Sequence, residues 1–544
     1  MRIRLLGMLL VLVSFHSVQA ETIHVPSDYS VIQDAIDATS PGDIVEIAAG
    51  VYDDLRQPGG TDTTRCVVSM KSGITLRGAG IGQTILDPDF GGRGIHCDGV
   101  MGSQIEGITV RHAHAELFGA GLYCTNGSSP NVTDCEFTEG TDGGVICTAG
   151  SSPHLESCLI TNNEAKQGGG ISAEDASSPI VSECTITGNS APAGGGVFVR
   201  ADSGPSFHYC VIANNFLSTA NGAGGGVGVI NATLTLFGCD VTDNVATGPG
   251  GGIAAIDGGD VRLINCNVLR NSTTDSYGPG GGIHCESSIL QADHTVIADN
   301  WVVGAGSDGG GIYFFFTETG SLEACTVVGN ETNGPNGHGG GIACFLASPT
   351  IERSIVAFNL AGEGLYCVDE GSVPQVSCTD VFGNFEGDTI CGDDLGGNFS
   401  LDPLFCDAGI GNYSLTPSSP CLPGNHPNGN ECDQIGALGP CDPVGVPETI
   451  DLSVLGNHYA SPNPLRTGTN IHFTLQSPSQ VRLTIYDAAG RQVGSVESRG
   501  FPAGENSLRW DARDERGGAV QSGLYLYALE VDGVRTTGQL VLVR

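Results

Sequence analysis

Short runs of β-branched residues alternate along most of the chain with glycine triplets and turn residues. Each triplet is followed by Ile or Val, as in Gly168–Ile171 and Gly250–Ile253, and the signal returns roughly every 23 to 30 residues. The apolar positions alternate over stretches too short for an amphipathic helix, which indicates strands. The pattern therefore predicts a repeat protein built from β-strands.

A second run in each repeat, usually around a Cys, ends at an Asn, as in CTITGN. These positions are Asn163, Asn189, Asn215, Asn244, Asn271, Asn300, Asn330 and Asn359. Because stacked Asn side chains can bond to the amides above and below, we predict that they form a ladder at a turn.

Units of this size cannot bury a hydrophobic face alone, so they must stack on their neighbours. Stacked strand units of this length form a parallel β-helix, in which each strand pairs with its copy in the next coil about 4.8 Å away. We predict an all-β fold with about ten or more coils. The glycines are expected to supply positive φ at a tight corner between sheets.

The two ends of the chain depart from the repeat. Residues Asp28–Ala38 place Val31, Ile32, Ala35 and Ile36 on one helical stripe, which predicts a capping helix. After Cys441 the glycine triplets stop, prolines mark a linker, and about seven alternating runs predict a small Ig-like β-sandwich. The expected domains are a signal peptide at 1–20, a β-helix at 21–441, a linker at 442–460 and the sandwich at 461–544.

The chain is strongly acidic, with a net charge of −38 and only two lysines, Lys71 and Lys166. Nucleic acid is therefore not an expected partner, because phosphate binding needs clustered Lys and Arg. The first 20 residues have a basic start, a short apolar run and small residues before Glu21. This pattern is typical of a bacterial signal peptide, and we expect a secreted or cell-surface protein with no transmembrane segment in its mature chain.

Twenty cysteines in an exported chain suggest disulfides. Seven of them nevertheless fall at one repeat position, where Thr295 and Ser354 stand in other repeats, so we predict an interior column of mostly free thiols. The seven are Cys135, Cys158, Cys184, Cys210, Cys239, Cys266 and Cys325. The tail cysteines break the period, and we expect disulfides among them that close the open end: Cys391, Cys406, Cys421, Cys432 and Cys441.

The opening stretch IHVPSDYSVIQDAIDATSPGDIVEIAAGVY and the closing LDPLFCDAGIGNYSLTPSSPC resemble the bacterial right-handed parallel β-helix proteins related to pectate lyases. The glycine and Asn repeats are similar to those of polymorphic outer-membrane proteins. This resemblance implies the fold of 21–441 and leaves the function open, because the fold carries lyases, hydrolases, esterases, epimerases and adhesins.

The C-terminal residues resemble the flagellar-hook-cap-type Ig-like module, which also serves as a sorting domain of type IX secretion. The matching segments are Pro462–Pro464, Tyr486–Arg491, Trp510–Asp511, Arg513–Asp514 and Ser522–Tyr527. Leu465 stands where Phe is usual, and Ala512 where Gly is usual. The resemblance implies secretion or outer-membrane machinery as a partner, and a passive spacer domain remains the alternative.

The catalytic motifs that this fold supports are largely missing. Asp293-His294 is similar to part of the pectate lyase pattern, but the Arg-containing motif that should accompany it is absent. Gly337-His338-Gly339 is similar to a polygalacturonase motif without its other segments, and Asp393-Asp394 does not lie beside it in the chain. No catalytic residue is predicted.

Two weaker candidate sites concern cations. His112 and His114 form a His-x-His pair, with His96 about one coil earlier, and such a pair on a strand would point both rings to one face. Surface histidines are the simpler interpretation. Turn aspartates could hold calcium, but a solvated acidic surface explains them more simply, and no cofactor is predicted; examples are Asp240, Asp243, Asp257 and Asp260.

The first function hypothesis is a non-catalytic recognition or adhesion protein with extracellular glycans as its ligand. The densest aromatic run, Tyr313–Phe316, supplies candidate binding residues in Tyr313 and Phe315, because alternate members of a strand face outward. The second hypothesis is a polysaccharide lyase or glycoside hydrolase. Carboxylates that converge on one groove would favour the second hypothesis, and an aromatic groove without them the first.

Overall fold

The computed structural model describes most of the chain after the signal peptide. The described residues are 20–58, 62–115, 121–219, 222–274, 278–304, 307–317, 319–333, 337–427, 429, 432–441, 455–461, 465, 468–475, 479–487, 492–502, 504–513, 518–521, 523–531 and 534–542. The predicted signal peptide, apart from Ala20, and residues 442–454 of the predicted linker lie outside them.

The predicted parallel β-helix is confirmed. Each coil passes in turn through three long parallel sheets, which we number I to III in coil order from the glycine triplet, and the central coils add a short sheet IV. The strands of sheet I are Cys66–Ser69, Arg93–Asp98, Leu122–Thr125, Val145–Cys147, Ile171–Ala173, Val197–Arg200, Val227–Ile230, Ile253–Ile256, Ile283–Glu286, Ile312–Phe315, Ile342–Phe345 and Leu365–Cys367.

Sheet II is the longest and reaches both ends of the coil stack. Its strands are Thr22–Val25, Ile44–Ile47, Thr75–Arg77, Met101–Glu106, Ser129–Thr133, His154–Glu156, Ile180–Ser182, Ser206–His208, Thr233–Phe237, Asp260–Ile264, Ile289–Asp293, Gly320–Glu323, Thr350–Glu352, Gln375–Ser377 and Asp393–Gly396.

Sheet III follows the turn after sheet II, and sheet IV follows the Asn positions. The strands of sheet III are Gly50–Tyr52, Thr84–Leu86, Thr109–Arg111, Glu136–Thr138, Leu159–Thr161, Thr185–Thr187, Val211–Ala213, Asp240–Thr242, Asn267–Leu269, Val296–Ala298, Thr326–Val328, Ile355–Ala357 and Asp380–Phe382. The strands of sheet IV are Ser190–Ala191, Phe216–Leu217, Val245–Ala246, Ser272–Thr273, Trp301–Val302 and Glu331–Thr332.

The Asn positions stack as a buried column at the end of sheet III. The side-chain Nδ2 of Asn244 donates to Oδ1 of Asn271 in the next coil at 3.0 Å and to the carbonyl of Ile212 at 2.9 Å. The same bonds repeat along the column and extend to Asn384, one coil beyond the predicted positions. The column satisfies buried backbone groups that the turn would otherwise leave unpaired.

The three glycines of a triplet serve two different purposes. Gly250 has φ +72° and turns the corner, which only a residue without a Cβ does without strain. A Cβ on Gly251 or Gly252 would instead collide with the backbone carbonyl of the next coil. Positive φ, the reason predicted from the sequence, therefore applies to the first glycine, and close coil packing explains the other two.

Free thiols line the interior as predicted, in two columns. Cys239 and its counterparts follow the turn after sheet II, and Cys97, Cys124 and Cys147 form a second column in register on sheet I. The Sγ of Cys239 donates to the carbonyl of Phe207, and most thiols of the first column bind the backbone of the coil before them in the same way.

The N-terminal cap is shorter than predicted. Helix α1 covers Ile32–Ala38, with Ile32, Ala35 and Ile36 buried against the first coil. The predicted start at Asp28 is wrong, because Asp28 lies in a turn where its carboxylate accepts from the backbone N of His24 at 2.8 Å. Helix α1 is far too short to span a bilayer, and no other described helix has the length and apolar character that a crossing requires.

The tail after the last coil packs along the outside of sheet III rather than only closing the end. It contains a hairpin of Phe405–Asp407 and Asn412–Leu415 joined by the 3-10 helix Ala408–Ile410. The Tyr413 hydroxyl donates to Asp299 at 3.0 Å, and the backbone N of Ala437 donates to Thr326 at 3.0 Å. Both contacts join positions more than 100 residues apart, so the repeat pattern did not predict them.

Three disulfides hold this tail: Cys367–Cys391, Cys378–Cys432 and Cys406–Cys441. The expectation of disulfides among the tail cysteines is confirmed for four of the five. Cys421 is free and buried, and its Sγ donates to the Asp380 carboxyl at 3.4 Å.

The predicted Ig-like sandwich is confirmed and consists of two antiparallel sheets. The strands are Leu455–Ser461, Thr469–Leu475 and Gly504–Trp510 in one sheet, and Ser479–Asp487, Gln492–Phe501, Gly523–Val531 and Val534–Leu542 in the other. Its first strand begins at Leu455, inside the stretch expected to be linker. Leu465, which replaces the usual Phe, lies fully buried in the core with Trp510.

Candidate functional site

The outer face of sheet I carries two rows of side chains in register. Successive residues of a strand point to opposite faces, so the first and third residues of Ile312–Phe315 face the interior and the second and fourth face outward. His284 therefore lies beside Tyr313 in the next coil, and Glu286 beside Phe315. The register continues to Phe345, one coil further.

A groove of about 240 Å³ runs between this face and the corner that precedes the glycine triplets. We call it the aromatic groove. Its lining residues are Pro249, Pro279, His284, Glu286, Ser307, Asp308, Tyr313 and Phe315.

The aromatic rings form a nearly parallel row, both between neighbouring coils and along the strand Ile312–Phe315. The centroids of His284 and Tyr313 lie 5.7 Å apart, those of Tyr313 and Phe315 5.8 Å, and those of Phe315 and Phe345 5.2 Å, all nearly parallel. Phe316 closes the row edge-on against Phe315 and Phe345. The result is a continuous apolar wall, a surface suited to ligands with flat apolar faces.

Two carboxyl groups in the lining of the groove have pKa values that are shifted in opposite directions. Nε2 of His284 lies 3.2 Å from Glu286 Oε2, and this hydrogen bond lowers the pKa of the Glu286 carboxyl. Burial raises the pKa of the Asp308 carboxyl, although its Oδ1 accepts from the backbone N of His338 at 2.9 Å.

His284 also has a polar atom without a partner. Its side chain is only 3% exposed, and Nδ1 makes no hydrogen bond to any described protein group. A buried ring nitrogen in this state costs free energy, because buried polar atoms in native proteins are normally paired. His284 lines the groove, so this unpaired nitrogen belongs to a residue of the groove wall.

The binding residues predicted from the sequence lie in this groove. Tyr313 and Phe315 both belong to its lining, while Phe314 points into the core and is fully buried. Phe316 follows the strand with φ +50° and is 48% exposed. Whether Tyr313 and Phe315 bind a ligand stays a prediction.

The three candidate metal-binding histidines are not brought together. His112 has φ +52° just after its strand and lies between Asp87 and Glu139, whereas His114 contacts Asp142 at 2.8 Å. The turn separates the two rings that a continuous strand would have placed on one face.

His96 lies on the outer face of sheet I, near the N-terminal end of the coil stack. It is buried and stacks on Tyr123, with centroids 5.5 Å apart. The Arg93 guanidinium lies 4.2 Å from the Tyr123 ring centroid and 2.5 Å from Asp62. His96 Nε2 lies 3.7 Å from the same Asp62, and neither ring nitrogen of His96 makes a hydrogen bond within the described part of the chain.

Among the described residues, one other group of potential metal ligands converges. Ligand atoms of His338, Glu363 and Glu386 lie within 4.8 Å of one another, at one corner of three successive coils. The ring of His338 stacks on Tyr366 at 4.4 Å. This corner continues the row that contains Asp308, so the C-terminal side of the aromatic groove is also acidic.

The motifs weighed as catalytic remain scattered. Asp293 and His294 contact each other at 2.6 Å at the turn between sheets II and III, and Asp393-Asp394 belongs to the last strand of sheet II. Of the four aspartates considered for calcium, Asp243 and Asp257 have positive φ at turns, whereas Asp240 and Asp260 begin strands, so their predicted turn position is wrong. Asp240 accepts from Asn267, and Asp243 pairs with Arg270.

The sequence reasoning missed His284, Glu286 and Asp308. A strand-by-strand alignment of the repeats would have found the first two, because they occupy the same repeat positions as Tyr313 and Phe315. Asp308 carries no such signal, since it lies in the variable segment before the triplet.

Residues 93–268 match the family described as Right handed beta helix region, and residues 463–533 match the FlgD Ig-like domain. The chain therefore has a right-handed parallel β-helix fold, and its C-terminal sandwich matches the FlgD Ig-like domain. No curated protein is similar in sequence to this β-helix protein.

The similar solved structures match this chain either over a small part of its length or at low sequence identity. PorU and PorZ of Porphyromonas gingivalis match at 24% and 29% identity over 16% of this chain, which spans only 9% and 11% of their lengths, with TM-scores of 0.15 and 0.13. The catalytic unit of an alpha-1,3-glucanase from Streptomyces thermodiastaticus matches at 15% identity over 68% of this chain and 65% of its own, with a TM-score of 0.44.

Proposed function

We propose that the protein is exported to the bacterial cell surface or beyond and binds glycans there without altering them. The observation that carries this proposal is the aromatic groove, where stacked rings form an apolar wall with polar groups at its edge. Sugar rings present apolar C–H faces and hydroxyls at their rims. A wall of this kind recognises both parts at once.

Export is supported by the first 20 residues, which have the composition of a signal peptide. The match of residues 463–533 to the FlgD Ig-like domain supports a C-terminal module that engages secretion or outer-membrane machinery. N-terminal sequencing of the protein recovered from a bacterial periplasm tests the first part. We expect it to begin at Glu21, and a retained Met1 would contradict export through this segment.

The glycan proposal is tested with purified chain and a panel of soluble polysaccharides, run by size-exclusion chromatography with and without calcium. We expect at least one polymer to carry protein with it while keeping its size. Tyr313→Ala and Phe315→Ala should abolish this comigration. Tyr209→Ala is the matched control, because Tyr209 is 61% exposed at the turn between sheets II and III.

A second candidate function is cleavage of a polysaccharide, and Glu286 and Asp308 favour it. Two carboxyls in one groove with pKa values moved apart are the arrangement that general acid–base catalysis uses. Asp308, whose raised pKa lets its carboxyl hold a proton more readily, would be the general acid and protonate a leaving oxygen. The ionised Glu286 would be the general base. A polymer that shortens with the wild type, but not with Asp308→Asn, would replace the binding proposal by this one.

A further inference from the structure

We propose that the aromatic groove is selective for glycans that carry positively charged amines, with the ammonium group bound between Glu286, Asp308 and the rings of Tyr313 and Phe315. This inference rests on the proposed glycan binding and names the ligand's chemical class. It would make an amino-sugar polymer the preferred ligand, ahead of neutral and acidic polymers.

The charges of the groove point to a cation. Glu286 and Asp308 line it, and no Lys or Arg lies among its described lining residues. Burial raises the pKa of Tyr313, and the negative charges of Asp308, Glu286 and Asp369 raise it further. The phenol therefore senses a negative potential, which repels a uronic acid and attracts an ammonium group.

The ring wall contributes to the same preference. Tyr313 and Phe315 both line the groove, and their rings are nearly parallel, with an interplanar angle of 24°. Aromatic faces carry a negative quadrupole and attract cations placed over them, most strongly where water is excluded. A site that combines carboxylates with ring faces distinguishes an ammonium from a hydroxyl of the same size.

The unpaired nitrogen of His284 requires a donor when the imidazole is neutral. Its Nε2 faces the Glu286 carboxylate, which in its ionised form only accepts hydrogen bonds, so Nε2 carries the proton and Nδ1 is the acceptor. Glu286 and Asp308 line the groove and offer acceptors to it, and the Nδ1 acceptor of His284, a third lining residue, is buried without a partner. An ammonium group offers donors alone, together with a positive charge, and matches this set.

The test measures binding of the purified chain by calorimetry, with glucosamine oligomers and N-acetylglucosamine oligomers of equal length, and with galacturonic acid oligomers. The pH is set so that the sugar amine is protonated, and EDTA removes divalent cations. We expect the glucosamine oligomers to bind at least about tenfold more tightly than the acetylated ones, with an advantage that shrinks as salt rises. The acidic oligomers should not bind.

The variants Glu286→Gln and Asp308→Asn should remove most of this preference without changing the size of the groove. Glu352→Gln, which deletes one charge from an exposed position on sheet II, is the matched control and should behave as the wild type. If both groove variants keep the preference, the oligomers bind elsewhere on the acidic surface and the inference is overturned.

The remaining outcomes separate this inference from the proposed function. Equal affinity for the free and acetylated oligomers, insensitive to salt, overturns the amine preference and leaves glycan binding intact. Absence of binding to these oligomers and to the whole polysaccharide panel overturns both. Selective binding of glucosamine oligomers that Tyr313→Ala abolishes supports both.

Discussion

Asn189 and Asn215 are joined by two hydrogen bonds that end on one atom: Oδ1 of Asn215 accepts from Nδ2 and from the backbone N of Asn189, each at 3.0 Å. The Nδ2 of Asn215 in turn donates to the carbonyl of Ile186 at 3.0 Å and to Asn244 at 3.0 Å. One amide thus serves three coils, and all of these atoms are buried.

Replacing one central rung of this ladder should destabilise the coil stack strongly. Asn215→Ala leaves two donors of Asn189 without partners and removes one hydrogen bond from the carbonyl of Ile186. Each buried orphan costs about 1–3 kcal/mol. We expect a loss of about 3–5 kcal/mol in guanidinium unfolding followed by circular dichroism. The exposed Asn131→Ala should change stability by less than about 0.5 kcal/mol. Similar small effects at both sites would mean that water replaces the ladder.

The interior thiols should be inert in the native protein. Fourteen cysteines are free and buried, and burial raises the pKa values of Cys66, Cys285 and Cys325 to about 12 each. These three form almost no thiolate at mildly alkaline pH, and burial keeps the reagent away from all fourteen thiols, so alkylation should be very slow. Mass spectrometry after iodoacetamide should show no rapid labelling of folded protein and fourteen labels in denaturant. Fast labelling under native conditions would show that the columns open.

Asp380 should make the protein less stable as the pH rises. It is fully buried beneath the tail, and burial raises its pKa to about 7. A carboxyl with a raised folded pKa favours folding while protonated, so this contribution is complete below the unfolded pKa of about 4 and is lost as the pH approaches 7. Asp380→Asn should therefore stabilise the protein at pH ~8 by about 4 kcal/mol and at pH ~4 hardly at all.

Unfolding of wild type and variant at the two pH values checks this prediction. The variant keeps one hydrogen bond of the wild type: the backbone N of Leu401 donates to Asp380 Oδ1 and can donate to the Asn side-chain oxygen as well. A variant less stable than the wild type at both pH values would show that the ionised carboxyl is held by favourable contacts.

Much of the fold was predictable because each coil repeats the same local requirements. A corner glycine, an inward Ile or Val and an Asn rung recur in phase, and the hydrogen-bond register between coils follows from them. The tail has no such period. Tyr413 and Ala437 are placed by contacts with coils far away in sequence, and the location of the tail on sheet III therefore could not be anticipated.

The candidate groove was half predictable for the same reason. Alternation along one strand placed Tyr313 and Phe315 outward, whereas the partners His284 and Glu286 depend on pairing between strands of different coils. Asp308 depends on the segment between Asn300 and the next triplet, whose length varies between repeats. The prediction that His112 and His114 point to one face was wrong, because His112 has positive φ and the strand ends before it.

Ala512 in the Ig-like domain offers a simple test of a departure from the usual sequence. It has φ +52°, a conformation that glycine adopts freely and that costs other residues roughly 1 kcal/mol. Ala512→Gly relieves this strain, but it also deletes a fully buried methyl group, worth about 0.8 kcal/mol, and makes the unfolded chain more flexible. We therefore expect a net change below about 1 kcal/mol. Calorimetry should show a nearly unchanged midpoint for the transition of this domain, and a large fall would contradict the strain.

The Asn ladder binds each coil only to the coil before and the coil after it. Duplication or loss of one whole repeat therefore leaves every remaining Asn with an Asn partner. A shorter insertion preserves the ladder only if it falls in the segment before the glycines. Evolution can thus change the number of coils, and with it the number of rings and acids along the groove, in whole steps. In such a protein, the length of the groove and the length of the ladder change together.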